Sequence, residues 1–217
     1  MKKELFEKKL RHFNTEGAAK SGEYFQSAVL VLLVLIEDEF HVVFEKRAAH
    51  IRQGGEICLP GGKIDPTDVS PKAAAVRETC EELGCAKEAL EVFAKLQPLT
   101  LPTGVKIHPY AAFLHQSLAE LTLETAEVEE LFTVPLSFFA EHQPDSYACK
   151  VLVHPYIDTA EGQREVLLPA AELGLPRRYH EPWGEAQQTI YLYQVDQRII
   201  WGLTATILMN FMEQLNG

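Results

Sequence analysis

Glu78, Glu81 and Glu82 follow Arg77 in the run RETCEELG, downstream of the glycine pair Gly61-Gly62. An α-helix advances about 3.6 residues per turn, so positions i, i+3 and i+4 share a face. Three carboxylates would then crowd on one side, near a helix end where the macrodipole disfavours anions. A bare E-x-x-E-E is most often an ordinary solvated face. The position of this one asks for positive charge among the acids. A hard divalent cation would supply it, because Mg²⁺ takes oxygen ligands in octahedral geometry and bridges carboxylates to phosphates. Backbone at Gly61 and Gly62 could approach the same ion, with no side chain in the way.

The elements that position these groups follow from the surrounding pattern. Ser70 is a good N-cap, Pro71 suits the first helical position, and Gly84 stops a helix that runs through Ala73 to Leu83. The stretch Asp65 to Pro71 is a loop by composition. Upstream, Tyr24 to Ile36 reads as a strand buried on both faces. A turn at Asp38-Glu39 leads to a second strand from Phe40, and Ile57 to Leu59 makes a short third. Val92 to Leu99, Val105 to His115, Ala148 to Tyr156 and Thr189 to Gln194 read as extended. Lys3 to Phe13 and Leu203 to Leu215 read as amphipathic helices. Ala126 to Leu131 is expected as a short acidic helix, and Val134 to Glu141 as another short element. Residues 159–183 carry no clear signal. Helices and strands mix without regular alternation, which points to an α+β fold, helices packed on a mixed sheet.

The chain has 217 residues, 47% of them hydrophobic, and a formal charge of −11. That suits a single domain of residues 1–217 and argues against a nucleic-acid surface. The longest apolar run, Ala28 to Ile36, falls short of the roughly 20 residues that span a bilayer. Acidic residues follow it where a signal peptide would be cut. A cytoplasmic protein with no membrane partner is the expectation. Cys58, Cys80, Cys85 and Cys149 show no metal spacing and read as small buried hydrophobes. Trp201, Tyr110 and Phe113 read as core.

From Gly62 to about Cys85 the chain resembles the Nudix box, a glycine, a loop acid and then R-E-x-x-E-E-x-G. Here the end of the box stands as Arg77-Glu78-Thr79-Cys80-Glu81-Glu82-Leu83-Gly84. The loop acid is Asp68 rather than Glu, one residue further from Arg77 than the pattern has it. Asp65, Asp68 and Ser70 are similar to the coenzyme A pyrophosphatase branch, with its G-G-x-x-D-x-x-D-x-S. Arg47, Ala48, Arg52 and Pro60 match that branch's upstream signature. Leu59 replaces its Phe, and the interval from Arg52 to the next glycine is one residue short. AEVEELFTVPLSFF and IIWGLTATIL also resemble segments of the branch.

The resemblance implies a Nudix-like α/β/α sandwich and hydrolysis of a nucleoside diphosphate linked to another group. It implies Mg²⁺ or Mn²⁺ held by Glu78, Glu81 and Glu82, with Glu78 or Glu82 doubling as the base. Glu127 or Glu129 could supply the base instead, and His50 and His108 are weaker candidates. Arg77 would pair with Asp68 or Glu81 and hold the loop on the helix. Lys46, Arg47 and Arg52, with Gly61 and Gly62, would bind the substrate. Coenzyme A or an acyl-CoA leads the substrates. ADP-ribose, a dinucleoside polyphosphate and a damaged nucleotide stay open, as does a non-catalytic nucleotide-binding role. Monomer and homodimer both stay open.

Overall fold

The computed structural model describes residues 25–216, so the helix expected at Lys3 to Phe13 lies outside the described residues. The chain forms two compact units. The first takes residues 25–32 and 60–124, the second residues 33–59 and 125–216. Strand β1, Phe25–Ile36, contributes to both.

In the first unit, β1 pairs antiparallel with β4, Gly61–Lys63, in the register Ser27↔Lys63 and Val29↔Gly61. Helix α1, Pro71–Leu83, follows the loop. Ser70 accepts a hydrogen bond from the Ala73 N–H and caps its start, and Gly84 closes it at φ 64°. Beyond it, β5 (Leu90–Lys95) and β6 (Leu99–Thr100) both pair antiparallel with β7 (Val105–Leu114). Ala74, Ala75 and Leu83 of α1 are fully buried, as are Ala28 and Leu30 of β1 and Ala111 and Ala112 of β7. Small side chains let α1 lie close to strands. Tyr110 is core as expected, while Phe113 is half-buried and stacks on Phe93 at 4.4 Å.

In the second unit, β2 (Glu39–Arg47) pairs with the end of β1 and with β3, Ile57–Cys58. Its main partner is β8, Val128–Pro135. This corrects the acidic helix expected at Ala126 to Leu131. Val42↔Val134 and Phe44↔Phe132 are cross-strand pairs, and such pairing outweighs a local helical preference. Helix α2, Leu136–Glu141, comes next. A separate sheet has the order β13-β12-β9, from Arg198–Trp201, Gln187–Val195 and Asp145–Lys150. A hairpin of β10, Tyr156–Asp158, and β11, Arg164–Val166, occupies part of the segment without a clear signal. Helix α3, Gly202–Asn216, ends the described chain and packs on β12 and β13. Phe44, Phe139, Ile200 and Leu208 anchor the core of this unit.

Two core expectations change. Trp201 is 44% exposed, because Ile200 takes the inward position on β13 and strand alternation turns Trp201 outward. Cys149 is exposed on β9, whereas Cys85 is buried. All four cysteines are free thiols.

Candidate active site

The acidic face of α1 meets the glycine loop inside the first unit. Glu82 is 4% exposed, and its Oε2 accepts the Gly61 N–H at 2.8 Å. Glu78 lies against Gly62 so closely that a Cβ there would sit 2.4 Å from Glu78 Oε2. Gly61 has φ 131°, and a Cβ on it would lie 2.4 Å from the Ala28 carbonyl oxygen. Gly61 is therefore a steric requirement of the backbone, and Gly62 is one only for the present position of the Glu78 side chain. The pair brings main chain against two carboxylates.

One positive charge, Arg77, stands beside two of the three glutamates, Glu78 and Glu81. Its Nε and Nη2 bond Asp68 at 3.1 and 2.9 Å. Nη1 lies 2.9 Å from Glu78 and 2.9 Å from Glu81, and Nη2 donates to the Lys63 carbonyl at 3.2 Å. A planar guanidinium suits such forked contacts. Arg77 thus ties the loop to the helix, in the arrangement expected of it. Its guanidinium holds the Asp68 carboxyl below the usual carboxylate range, and Asp68 in turn raises the pKa of Arg77.

The structure brings Glu78 and Glu82 to the glycine loop, but turns the exposed Glu81 toward Arg77. Among the described residues, no three Asp, Glu, His or Cys side chains form a preformed cation cluster. The donor set is nevertheless all oxygen, and the Cβ-free approach at Gly62 leaves Glu78 beside open main chain. That chemistry suits a hard divalent cation.

The end of α1 is fixed as well. Thr122 N–H donates to the Leu83 carbonyl at 3.1 Å and Glu124 N–H to the Glu82 carbonyl at 2.9 Å. A Cβ on Gly84 would come 2.2 Å from the Thr122 carbonyl oxygen. His108 is buried, with Nε2 3.2 Å from Gln26 Oε1, and burial lowers its pKa. It belongs to the packing of the first unit.

The upstream cations lie in the second unit. Arg47 Nε donates to the Arg52 carbonyl at 3.2 Å, within a turn in which Gly55 N–H returns to the Arg47 carbonyl at 2.9 Å. Among the described residues, neither arginine has a carboxylate partner. Lys46 differs, since it is ion-paired with Glu129. Glu127 is exposed and its carbonyl accepts the Ala48 N–H at 2.8 Å. His50 is exposed. Sequence reasoning missed Arg198 and Glu130, which pair in this unit with the guanidinium over Phe132. Their separation in sequence left no signal, and only the packing of β13 near β8 reveals the contact.

Residues 25–167 match the NUDIX domain, more than half of the chain. A Nudix hydrolase of Photorhabdus laumondii, NudL, is 28% identical over 190 residues, covering 87% of this chain and 84% of its own. The mouse peroxisomal coenzyme A diphosphatase NUDT7 is 36% identical over 118 residues, which span 54% of this chain and 49% of that protein. The solved structure of the Nudix hydrolase RenU from M. smegmatis aligns with a TM-score of 0.46 and 24% identity, over 54% of this chain and 74% of that one. With its arginine-stapled glutamate helix and glycine loop, the chain belongs to the NUDIX domain family and is a Nudix hydrolase of α+β fold.

Proposed function

We propose that the protein is a Mg²⁺- or Mn²⁺-dependent pyrophosphohydrolase. Its substrate is coenzyme A or an acyl-CoA, and its products are 3′,5′-ADP and the (acyl-)4′-phosphopantetheine. The observation that carries the reading is the pair Glu78 and Glu82 held against Gly61-Gly62, with Arg77 fixing loop to helix. Glu78, Glu81 and Glu82 would hold the cation. When bound, it neutralises the diphosphate and lowers the pKa of water.

The chain's own residues do the rest. Gly61 and Gly62 present main chain where a side chain would block approach. Arg77 sets the positions of Glu78 and Glu81. Oxygen from water joins one phosphorus, the bridging P–O bond breaks, and the other phosphate leaves with the electron pair. The proton from water passes to a carboxylate, Glu78 or Glu82. Arg47 and Arg52 carry charge that no carboxylate neutralises among the described residues, and they suit phosphate oxygens. The name and partial likeness of the mouse relative support coenzyme A.

A second substrate reading keeps the chemistry and replaces coenzyme A with ADP-ribose, a dinucleoside polyphosphate or a damaged nucleotide. The engagement of Lys46 by Glu129 favours it, because one expected phosphate contact is already occupied. Initial rates on coenzyme A, ADP-ribose and nucleoside triphosphates, with EDTA and with added Mg²⁺ or Mn²⁺, separate the readings. The expected outcome is fastest turnover of coenzyme A, abolished by EDTA and restored by the cation. Faster turnover of ADP-ribose moves the assignment to the second reading, and hydrolysis that ignores EDTA removes the cation.

A further inference from the structure

Helix α1 ends between two thiols. Cys80 stands one turn before Gly84, and Cys85 follows that glycine directly. The Gly84 N–H donates to the Cys80 carbonyl at 2.9 Å, and its φ of 64° turns the chain back. A left-handed glycine cap brings the side chain of the last turn against the one just past the glycine. That contact is usually apolar. Here it joins Cys80 Sγ and Cys85 Sγ at 3.9 Å. Cys58 and Cys149 belong to the second unit. The surroundings of the two thiols differ. Cys85 is 7% exposed, with its Sγ 4.0 Å from the Thr79 carbonyl oxygen. Cys80 is half-buried and lines an open cavity of about 330 Å³ with Val76, Arg77, Glu81 and Lys87. A small solute therefore meets Cys80 first.

We propose that Cys80 and Cys85 are a redox site, which hydrogen peroxide closes to an intramolecular disulfide across the last turn of α1. A disulfide needs about 2.05 Å between the sulfurs. The thiols stand 3.9 Å apart, and rotation of one side chain about its Cα–Cβ bond can close such a gap. In the first step an oxygen of the peroxide joins Cys80 Sγ, giving the sulfenic acid and one water. In the second, Cys85 Sγ attacks the Cys80 sulfur, the S–O bond breaks, and the hydroxyl leaves as water with the Cys85 proton. Two thiols are oxidised and one peroxide is reduced to two waters. Burial pushes the Cys85 thiol up to about 12, so the second step is slow at neutral pH and the site answers sustained oxidation. The bridge encloses Glu81 and Glu82. The Glu82 and Leu83 carbonyls are already held by the Glu124 and Thr122 N–H groups, so the bridge stiffens a turn that exists without it.

A mass measurement on the full chain tests the site. Trypsin cuts after Arg77 and Lys87 and releases residues 78–87, which hold both cysteines. The protein is held in hydrogen peroxide, quenched with catalase, denatured in N-ethylmaleimide and digested. The peptide is expected to be lighter by two hydrogens and free of maleimide, and to take two maleimides after dithiothreitol. A peptide that keeps two maleimides after peroxide overturns the proposal. So does sulfinic acid at Cys80 with maleimide on Cys85, which would mean that Cys85 does not reach its neighbour. A bridge from either residue to Cys149, or to a second copy, overturns it as well. The bridged protein should melt roughly 3 °C or more above the reduced one. That shift should vanish in Cys80→Ser and in Cys85→Ala. An unchanged Tm in fully bridged protein removes the stiffening of the turn. Both measurements are made without turnover, so the catalytic assignment stands or falls separately.

Discussion

Two stretches of the chain are built in opposite ways. Between Gly61 and Gly84, most charged side chains have a partner, and both ends of α1 are capped. Between residues 145 and 185, all six residues of β9 are exposed, and so are Val166 and Leu173. The first stretch is over-determined by contacts across short loops. The second rests on the pairing of β9 with β12, on the β10–β11 hairpin and on single bridges such as Val153 with Trp183. The difference shows where side chains are fixed by many neighbours and where they are left open to water.

Substitutions can break this contrast. The largest effect is expected for Glu82→Gln. The amide oxygen can still accept the Gly61 N–H, so the fold should persist while turnover falls about a thousandfold or more. Near-normal kcat with an unchanged circular dichroism melt would take Glu82 out of the reaction.

The two glycines sharpen the point, because their neighbours differ. Gly61→Ala meets immovable backbone at Ala28 with an unfavourable φ, and should cost on the order of 3 kcal/mol in denaturant unfolding. Gly62→Ala meets only the flexible end of Glu78. It should leave stability nearly intact while displacing that carboxylate, lowering kcat by about ten- to a hundredfold. If both variants lose stability equally, the glycine pair serves the fold alone.

The Arg77 staple gives a pH test. Asp68 has its pKa lowered from 3.8, chiefly by its hydrogen bond to Arg77. A carboxylate depressed in the folded state stabilises fully above its unfolded pKa and loses that contribution as pH falls through its folded pKa. Asp68→Asn should therefore lower Tm by a few degrees at neutral pH. The gap to the parent should close as pH drops below about 4. A gap that is constant down to about pH 2 would mean that Asp68 acts by shape and not by charge. The smallest effect belongs to the second stretch. Leu173, 62% exposed, should tolerate Ser within about 0.5 kcal/mol in the same unfolding assay.

Much of the first stretch is legible in the amino-acid sequence. Ser70, Pro71 and Gly84 act on their immediate neighbours, so local chemistry sets where α1 begins and ends. Arg77, Glu78, Glu81 and Glu82 fall within one turn and a half, where helical spacing dictates who meets whom. The acidic run at Ala126 to Leu131 misleads because its partner, β2, is remote in sequence. Trp201 misleads because an apolar residue on a strand has two faces, and alternation alone does not name the inner one.

By itself the sequence determined the helix, its caps and the crowding of its carboxylates. All of these depend on interactions a few residues long. Tertiary structure decided that Arg77 joins Asp68 to Glu78 and Glu81, that Glu82 takes the Gly61 N–H while Glu81 does not, and that Trp201 faces a cavity. Each of those depends on distances between segments separated by loops, and such distances are set by packing rather than by spacing.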